Sequence, residues 1–153
     1  MLVSAGVVMV VISGLLVWLA FICVVNALAV NVVNAGLLLW LLLFCIVSKK
    51  ESGFSDKELT IFSQGLFADT VRGKDSTGVF SVSSSGNVHT LKDNIPGDEF
   101  TKTKDFEDFI SESFMSSRIL VGHNRSATLG NVSAKNAHPF ISGDTVLVHN
   151  GTL

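Results

Sequence analysis

Hydrophobic and polar residues are distributed very unevenly along this chain. Residues 1–48 contain no charged residue and no histidine, and every charge lies from Lys49 onward. A transmembrane helix needs about 20 consecutive apolar residues. The uncharged stretch is long enough for two, from Leu2 to Val25 and from about Ala27 to Phe44 or slightly beyond. We therefore expect an α-helical transmembrane hairpin in residues 1–48, followed by a separate domain in residues 49–153.

The charges that flank the apolar segment predict its orientation. Lys49 and Lys50 directly follow the second span, and basic residues favour the cytoplasmic side of a membrane. We expect a membrane protein with two spans, in contact with the lipid bilayer, whose domain is cytoplasmic. A cleavable secretory signal fits less well, because a basic n-region is missing and the apolar run exceeds the usual length of about 7–15 residues. Asn-x-Ser/Thr triplets begin at Asn124, Asn131 and Asn150. In the alternative orientation, with a lumenal domain, they would be glycosylation acceptors, but Lys49 and Lys50 favour the cytoplasmic side.

Two stretches of the polar part have the periodicity of amphipathic helices. Ser55 and Glu58 have the spacing of a capping box, and a helix is predicted from about Asp56 to Ala68. Its apolar face consists of Leu59, Phe62, Leu66 and Phe67. The second helix is predicted by the spacing of Phe106, Phe109, Ile110 and Phe114.

Short apolar runs next to turn residues predict the strands. "VFSV" and "VHTL" flank "SSSGN", which is typical of a β-hairpin. "RILVGH" and "TVLVHNG" each have the pattern of a buried strand that runs into a polar turn, whereas "VRGKDSTG" is typical of a loop. The order of elements favours an α+β fold with an antiparallel sheet.

Charge and cysteine content narrow the functional classes. The net charge of −2 provides no basic field for nucleic acid, so we expect no nucleic-acid partner. The chain has two cysteines, Cys23 and Cys45, which do not suggest a disulfide framework. Metal-ligand spacing is absent from the sequence, and we expect neither a metal nor a cofactor.

Two strand ends carry side chains that suit chemistry on an amino acid. Arg125 lies in "GHNRSATLG", and a guanidinium group can bind both oxygens of a carboxylate. Asn150 and Gly151 end "LVHNG", and an amide beside a glycine N–H has the composition of an oxyanion hole. Considered alone, the arginine could equally form an ion pair on the surface. The Asn-Gly dipeptide, considered alone, is also typical of a hairpin turn.

Four motifs together resemble those of class II glutamine amidotransferases. "RGKDSTG", "GHNRSATLG", "NAHPF" and "LVHNG" occur in the order and spacing of that family, and the likeness runs from about Cys45 to Leu153. The "RGKDSTG" loop resembles that of short phage-encoded members. The resemblance implies a partial N-terminal-nucleophile-hydrolase-like fold of sheet and helix layers. It also implies hydrolysis of glutamine to glutamate and ammonia, with a separate synthase subunit as a partner that accepts the ammonia.

The resemblance assigns roles to particular residues. Arg125 matches the arginine that binds the glutamine α-carboxylate, and Thr128 lies in the same binding loop. Asn150 and Gly151 match the oxyanion pair. A supporting loop is matched by Arg72, Gly73, Asp75, Ser76 and Gly78. His138 and Pro139 match a structural turn, and His123 and His149 are expected to be framework residues rather than bases or metal ligands.

The nucleophile is where this chain departs from the family. The family chemistry needs a cysteine as the first residue of the mature chain, with its own α-amine as the base. This chain begins "MLVS", and Cys45 is the candidate, in "CIVS" where the family has Cys-Gly-Ile. Alternatively, Cys45 is a buried or lipid-facing thiol, and the protein is a catalytically inactive, membrane-anchored binding or relic protein of the same fold. The resemblance also implies a domain that is incomplete at its C-terminal end.

Overall fold

The computed structural model describes residues 9–12, 23–24, 43–48, 52–113, 117–128 and 130–150. Within these ranges the strands are β1 (Met9–Ile12), β2 (Cys23–Val24), β3 (Leu43–Val47), β4 (Ser76–Ser83), β5 (Val88–Asp93), β6 (Ser117–Arg125), β7 (Phe140–Ser142), β8 (Thr145–Leu147) and β9 (His149–Asn150). The helices are α1 (Asp56–Asp69), α2 (Gly97–Phe100) and α3 (Lys104–Ser113), and a short 3-10 helix spans Ala134–Asn136. The predicted mixture of helices with an antiparallel sheet is confirmed.

The main sheet has four antiparallel strands in the order β3-β6-β4-β5. Strand β6 is paired on both sides, so that Val121 lies opposite Cys45 of β3 and Phe80 of β4. The predicted hairpin is confirmed as β4 and β5. Strand β4, however, begins at Ser76, so three residues of the predicted 71–78 loop are strand. Their pairing with residues 123–125 of β6 outweighs the weak strand propensity of Ser and Gly.

Helix α1 covers one face of this sheet and confirms the first helix prediction. Its capping box is formed by Glu58, whose carboxylate accepts hydrogen bonds from the Ser55 N–H at 2.7 Å and the Ser55 hydroxyl at 2.6 Å. The buried apolar residues of α1 join a hydrophobic core with Phe44 of β3 and Phe106 and Phe109 of α3.

A close approach between α1 and β3 fixes the position of the helix. A Cβ atom added at Gly65 would lie 2.7 Å from the ring of Phe44. That ring also lies 5.8 Å, centroid to centroid, from Phe62. Glycine is therefore needed at position 65 to bring the helix this near to the sheet.

The opposite face of the sheet carries a second core. It contains Phe80 and Val82 of β4 and Ile119 and Val121 of β6, packed against Val146 and Val148. Strand β8 pairs with β7 as a small hairpin. The predicted strand "TVLVHNG" is thus divided at Val148 into β8 and β9, while α2 and β7 are too short to have given a periodic signal.

The N-terminal segment differs from the sequence prediction where it is described. Strand β1 pairs antiparallel with β2 and parallel with β9, so these residues are strand rather than helix. Three of the four residues of β1 are Val or Ile, and β-branched residues favour strands. None of the helices in the described residues is long and apolar enough to cross a membrane. The rest of the predicted hairpin lies outside the described residues.

The start of the sheet lies on the N-terminal side of the predicted domain boundary. Strand β3 (Leu43–Val47) pairs with β6 along its whole length, although the division after residue 48 placed it in the apolar segment. A uniformly apolar run has no periodicity that could separate a buried strand from a membrane span.

The packing of α1 predicts very different effects for two phenylalanines on the same helix. Phe62 is fully buried and Phe67 is 49% exposed. We expect Phe62→Ala to lower the free energy of unfolding by about 3–5 kcal/mol, because it leaves a cavity. Phe67→Ala should cost less than about 1 kcal/mol. Urea denaturation followed by circular dichroism measures both, and equal losses would contradict this placement of α1.

Candidate functional site

The candidate site is built around the end of β6. Arg125 is the last residue of this strand and lies opposite Ser76, the first residue of β4. Ser76 is fully buried and Arg125 is half-buried. The structure thus brings the predicted substrate arginine and the predicted supporting loop together.

Asp75 holds the backbone directly after the arginine side chain. Its backbone N–H donates a hydrogen bond to the carbonyl of Arg125 at 3.0 Å. Its carboxylate Oδ2 accepts one from the N–H of Ala127 at 2.6 Å. Hydrogen bonds to a charged acceptor are stronger than neutral ones, so Asp75 fixes the direction in which the chain leaves β6.

Two glycines of the supporting loop allow close approach of other backbone segments. A Cβ atom at Gly73 would lie 2.6 Å from the carbonyl oxygen of Asn124. A Cβ atom at Gly78 would overlap the carbonyl oxygen of His138. The loop can therefore lie against both β6 and the His138–Pro139 turn, whose peptide bond is cis. Arg72, the remaining member of the predicted loop, is exposed.

The guanidinium group of Arg125 lies beside the segment that follows β6. Its Nη1 is 3.5 Å from the carbonyl oxygen of Asn131, which also accepts a hydrogen bond from Nδ2 of Asn136 at 2.9 Å. Thr128, predicted to share the binding loop, is exposed. Thr128 thus belongs to the surface loop that follows β6, and the guanidinium group of Arg125 lies beside the same loop.

Asn124, next to the arginine, is the buried anchor of the strand end. Its amide Nδ2 donates to the carbonyl of Leu66 in α1 at 2.8 Å. The Thr77 hydroxyl lies 3.0 Å from Asn124 Oδ1 and 2.9 Å from the carbonyl of Ile95, and its single proton can be donated to only one of them at a time. Sequence reasoning missed both residues, and their only signal was their place inside "GHNR" and "DSTG".

Three buried histidines lie on the same face of the sheet as Arg125. The rings of His123 and His138 are 4.1 Å apart and those of His138 and His149 are 6.4 Å apart. Burial is the main cause that lowers the pKa of His123 to about 3 and that of His138 to about 4, and neighbouring histidines and Arg125 contribute to both values. Both rings are therefore neutral at pH 7, which suits framework residues.

The histidine group is short of hydrogen bonds within the described residues. Both ring nitrogens of His123 and Nδ1 of His138 lack a hydrogen-bond partner there. The backbone of His149 is near enough to His123 to oppose the fall in its pKa slightly. In the described part of the chain, moreover, no group of three or more His, Cys, Asp or Glu side chains is arranged to hold a metal ion.

A buried carboxylate at the end of α1 was also missed by the sequence analysis. Asp69 is 4% exposed, and neither carboxylate oxygen has a hydrogen-bond partner in the described residues. Burial raises its pKa to about 6, and the nearby positive charge of Arg72 opposes the rise. Asp69 is the last residue of α1. The apolar periodicity that predicts the helix gives no indication that a polar residue at its end is buried.

Cys45 is the central residue of β3, an outer strand of the main sheet, and lies away from Arg125. It is half-buried and packs against the second core. It shares a sheet face with Val121, His123 and Arg125, but its partner Val121 is four residues from Arg125, about 14 Å along the strand. Phe44, which precedes it, points to the opposite face. The structure does not bring the predicted nucleophile next to the predicted substrate arginine.

The predicted oxyanion pair is only partly described. Asn150 ends β9 and lies opposite Ile12 of β1 in the parallel pair. Gly151 lies outside the described residues, so the pair stays a prediction.

Comparison with known proteins identifies relatives for part of the chain. A glutamine--fructose-6-phosphate aminotransferase [isomerizing] of Aliivibrio fischeri is 34% identical over 93 residues, which are 61% of this chain and 14% of the relative. The enzymes with the same name from Vibrio cholerae and Legionella pneumophila are 36% identical over 93 residues and 32% identical over 101 residues. No family model matches the chain. The chain spans 14–16% of the length of these three relatives.

These relatives support the resemblance to class II glutamine amidotransferases at low identity and over the matched part. The likeness to phage-encoded members stays a prediction.

The titrations of Asp69 and the histidines should affect stability with opposite signs. Because the pKa of Asp69 is raised, its ionisation lowers the free energy of unfolding as the pH rises from about 4 to 6. The native carboxylate is then charged and has no hydrogen-bond partner in the described residues. The lowered histidine pKa values cost stability as pH falls from about 6.5 to 4. We expect Asp69→Asn to be more stable than wild type at pH 7.5, by about 1–2 kcal/mol after allowance for partial solvation.

The advantage of Asp69→Asn should shrink as the pH falls towards 4, where the native carboxyl is protonated and about half of the unfolded chains are protonated as well, because the ordinary pKa of Asp is about 3.9. Urea denaturation at pH 7.5, 5.5 and 4 measures the difference, with Asp144→Asn in the exposed β7–β8 turn as the control. An advantage that does not change with pH would argue against an ionised, buried Asp69.

Proposed function

We propose that this chain is a glutamine-binding domain of the class II glutamine amidotransferase type. The observation that carries the proposal is the way in which Asp75 holds the backbone at Arg125 and Ala127. A substrate arginine must present its planar fork in a fixed direction if it is to bind both oxygens of a carboxylate. The relatives, whose name specifies a glutamine-dependent aminotransferase, make glutamine the preferred amino acid.

In this proposal the groups around β6 divide the work of binding. Arg125 binds the α-carboxylate of glutamine, and Thr128 contributes its hydroxyl from the same loop. Asn150 and Gly151 stabilise the oxyanion that forms on the oxygen of the side-chain amide when its carbon is attacked. The neutral histidines form the wall behind the arginine, since a neutral ring does not repel its charge.

Hydrolysis of glutamine is the next step of the proposal, and it depends on Cys45. A thiolate attacks the side-chain amide carbon, ammonia leaves, and water hydrolyses the resulting thioester to glutamate. The base would be the α-amine of Cys45, which is an amide nitrogen while Phe44 remains attached. Cleavage between Phe44 and Cys45 would therefore have to precede activity.

A second candidate function is glutamine binding without turnover by a membrane-anchored protein. The burial of Phe44, at 6% exposure and in contact with the α1 core, favours it. A cut before Cys45 would divide β3 and detach this buried ring from the residues that follow it. The distance of about 14 Å along β6 between the levels of Cys45 and Arg125 points the same way.

Membrane attachment, a cytoplasmic location and an ammonia-accepting synthase partner belong to the same proposal. The uncharged character of residues 1–42, which precede β3, supports attachment, because such sequences favour hydrocarbon over water. Ammonia released by the domain would then be used by a separate subunit.

Replacement of the arginine tests glutamine binding directly. Arg125→Lys keeps the positive charge but loses the planar fork, so affinity for glutamine should fall by about 1.5–3 kcal/mol. Arg118→Lys is the matched control, because Arg118 lies near the start of the same strand and donates to the carbonyl of Ser48. Isothermal titration calorimetry measures both. Equal affinity of wild type and Arg125→Lys would reject the assignment.

Ammonia release distinguishes the two candidate functions. The intact chain should show little or no glutaminase activity, because an unassisted thiol with a pKa of about 8.5 is only a few per cent thiolate at pH 7. A chain that begins at Cys45 should gain activity if the first function is right, and Cys45→Ser in that chain should abolish it. Turnover by the intact chain that is lost in Cys45→Ser would show that another group acts as the base.

A further inference from the structure

A groove with an acidic wall lies between β5 and α3, outside the candidate site. It has a volume of about 300 Å³. One wall is formed by residues 88–91 of the strand, and the other by Asp105, Asp108, Phe109 and Glu112 of the helix. The strand wall extends over three residue steps and the helix wall over seven. With the rise per residue of a strand and of a helix, each wall is about 10 Å long. The groove therefore matches three or four residues of an extended peptide.

The strand wall is the outer edge of the main sheet. In the described residues β5 pairs with β4 and with no other strand, and most of its residues are exposed. An outer strand presents unpaired backbone N–H and C=O groups that can pair with another extended chain. A lysine on an edge strand can prevent pairing with another chain. Lys92 of β5 does not do so, because its ammonium donates hydrogen bonds to the carbonyls of Ala137 and Pro139, both at 3.0 Å.

The helix wall carries the charge of the groove. Asp105, Asp108 and Glu112 are spaced three and four residues apart, which places them on one side of α3. Neither lysine nor arginine lines the groove. Asp108 has an exposed ion pair with Lys104 at 2.5 Å, and Glu112 lies 3.8 Å from His89. Exposed pairs of this kind are weak, so the wall retains a negative potential that favours a cationic partner.

We propose that this groove binds an extended, basic segment of another protein, which adds a strand to β5. Side chains alternate along a strand, so residues i and i+2 of the segment face the same way, about 7 Å apart. Lysine or arginine at those two positions would lie against the carboxylates of α3, while backbone hydrogen bonds join the segment to β5. Residues 1–48 of this chain do not match this occupant, because they carry no charge.

Peptide binding to the full chain, purified in nonionic detergent, tests the proposal. The probe is a fluorescein-labelled peptide of alternating lysine and valine, five residues long, and fluorescence anisotropy measures its affinity. A glutamate–valine peptide tests the charge. A lysine–valine peptide with methylated backbone nitrogens tests strand addition, since it keeps the charge but loses its donors. We expect binding of the first peptide alone, weakened at least fivefold between 50 and 300 mM salt by screening.

Charge reversal on α3 provides a matched pair of variants. Asp105 and Glu107 are both acidic residues of the first turn, but only Asp105 lines the groove. Asp105→Lys should weaken peptide binding at least fivefold, whereas Glu107→Lys should change it less than twofold. Glu112→Lys, at the other end of the wall, serves if Asp105→Lys does not fold by circular dichroism.

Two results would overturn the proposal. Equal losses in Asp105→Lys and Glu107→Lys would mean that the peptide responds to overall charge and not to the groove. Undiminished binding of the methylated peptide would exclude strand addition to β5.

Discussion

Strand β6 is buried on both faces and paired on both edges, and the rest of the structure depends on this constraint. Because side chains alternate along a strand, its even-numbered residues face α1 and its odd-numbered residues face the second core. Leu120, Gly122 and Asn124 meet the helix, whereas Val121, His123 and Arg125 face the other way. A shift of one residue would exchange these two sets, so the register that builds the cores also decides where the arginine lies.

Polar contacts at the end of β6 convert this register into a defined site. Asn124 connects the strand to the carbonyl of Leu66 in α1, and Asp75 connects the next turn to the loop before β4. Not every buried polar group is satisfied in this way. The Asp69 carboxylate, both ring nitrogens of His123 and Nδ1 of His138 lack partners in the described residues, and such groups cost stability. His123 is two residues from Arg125 in β6, and the carbonyl of Asp69 accepts a hydrogen bond from the N–H of Arg72 in the supporting loop. Proteins commonly accept such a cost at functional sites.

The sequence predicted elements that have a period of their own. Helix α1 was recognisable from its capping box and apolar spacing, and the β4–β5 hairpin from the turn residues between its strands. Strand β3 was not separable from the apolar segment, because residues 1–48 are hydrophobic at nearly every position and have no period. The short elements α2 and β7 owe their conformation to contacts with distant residues, which a local pattern does not contain.

The site was predicted to a similar extent. The motif "GHNRSATLG" placed Arg125 at a strand end, as the structure has it, and "RGKDSTG" supplied the Asp75 that holds it. The anchoring of Asn124 to Leu66 joins residues 58 positions apart, and nothing in either local sequence indicates the pairing. The separation between Cys45 and Arg125 is likewise a property of the β3–β6 register, and spacing along the chain does not contain it.

The contact between Gly65 and Phe44 has a consequence for how sequences of this kind can diverge. A methyl group at position 65 has no room while the aromatic ring is present, and loss of the ring alone leaves a cavity beneath the helix. Neither step is neutral, but a chain that carries both changes recovers much of the lost packing. Positions 44 and 65 should therefore covary in lineages that share this fold: a small residue at 44 permits alanine or serine at 65, and an aromatic residue at 44 restricts 65 to glycine.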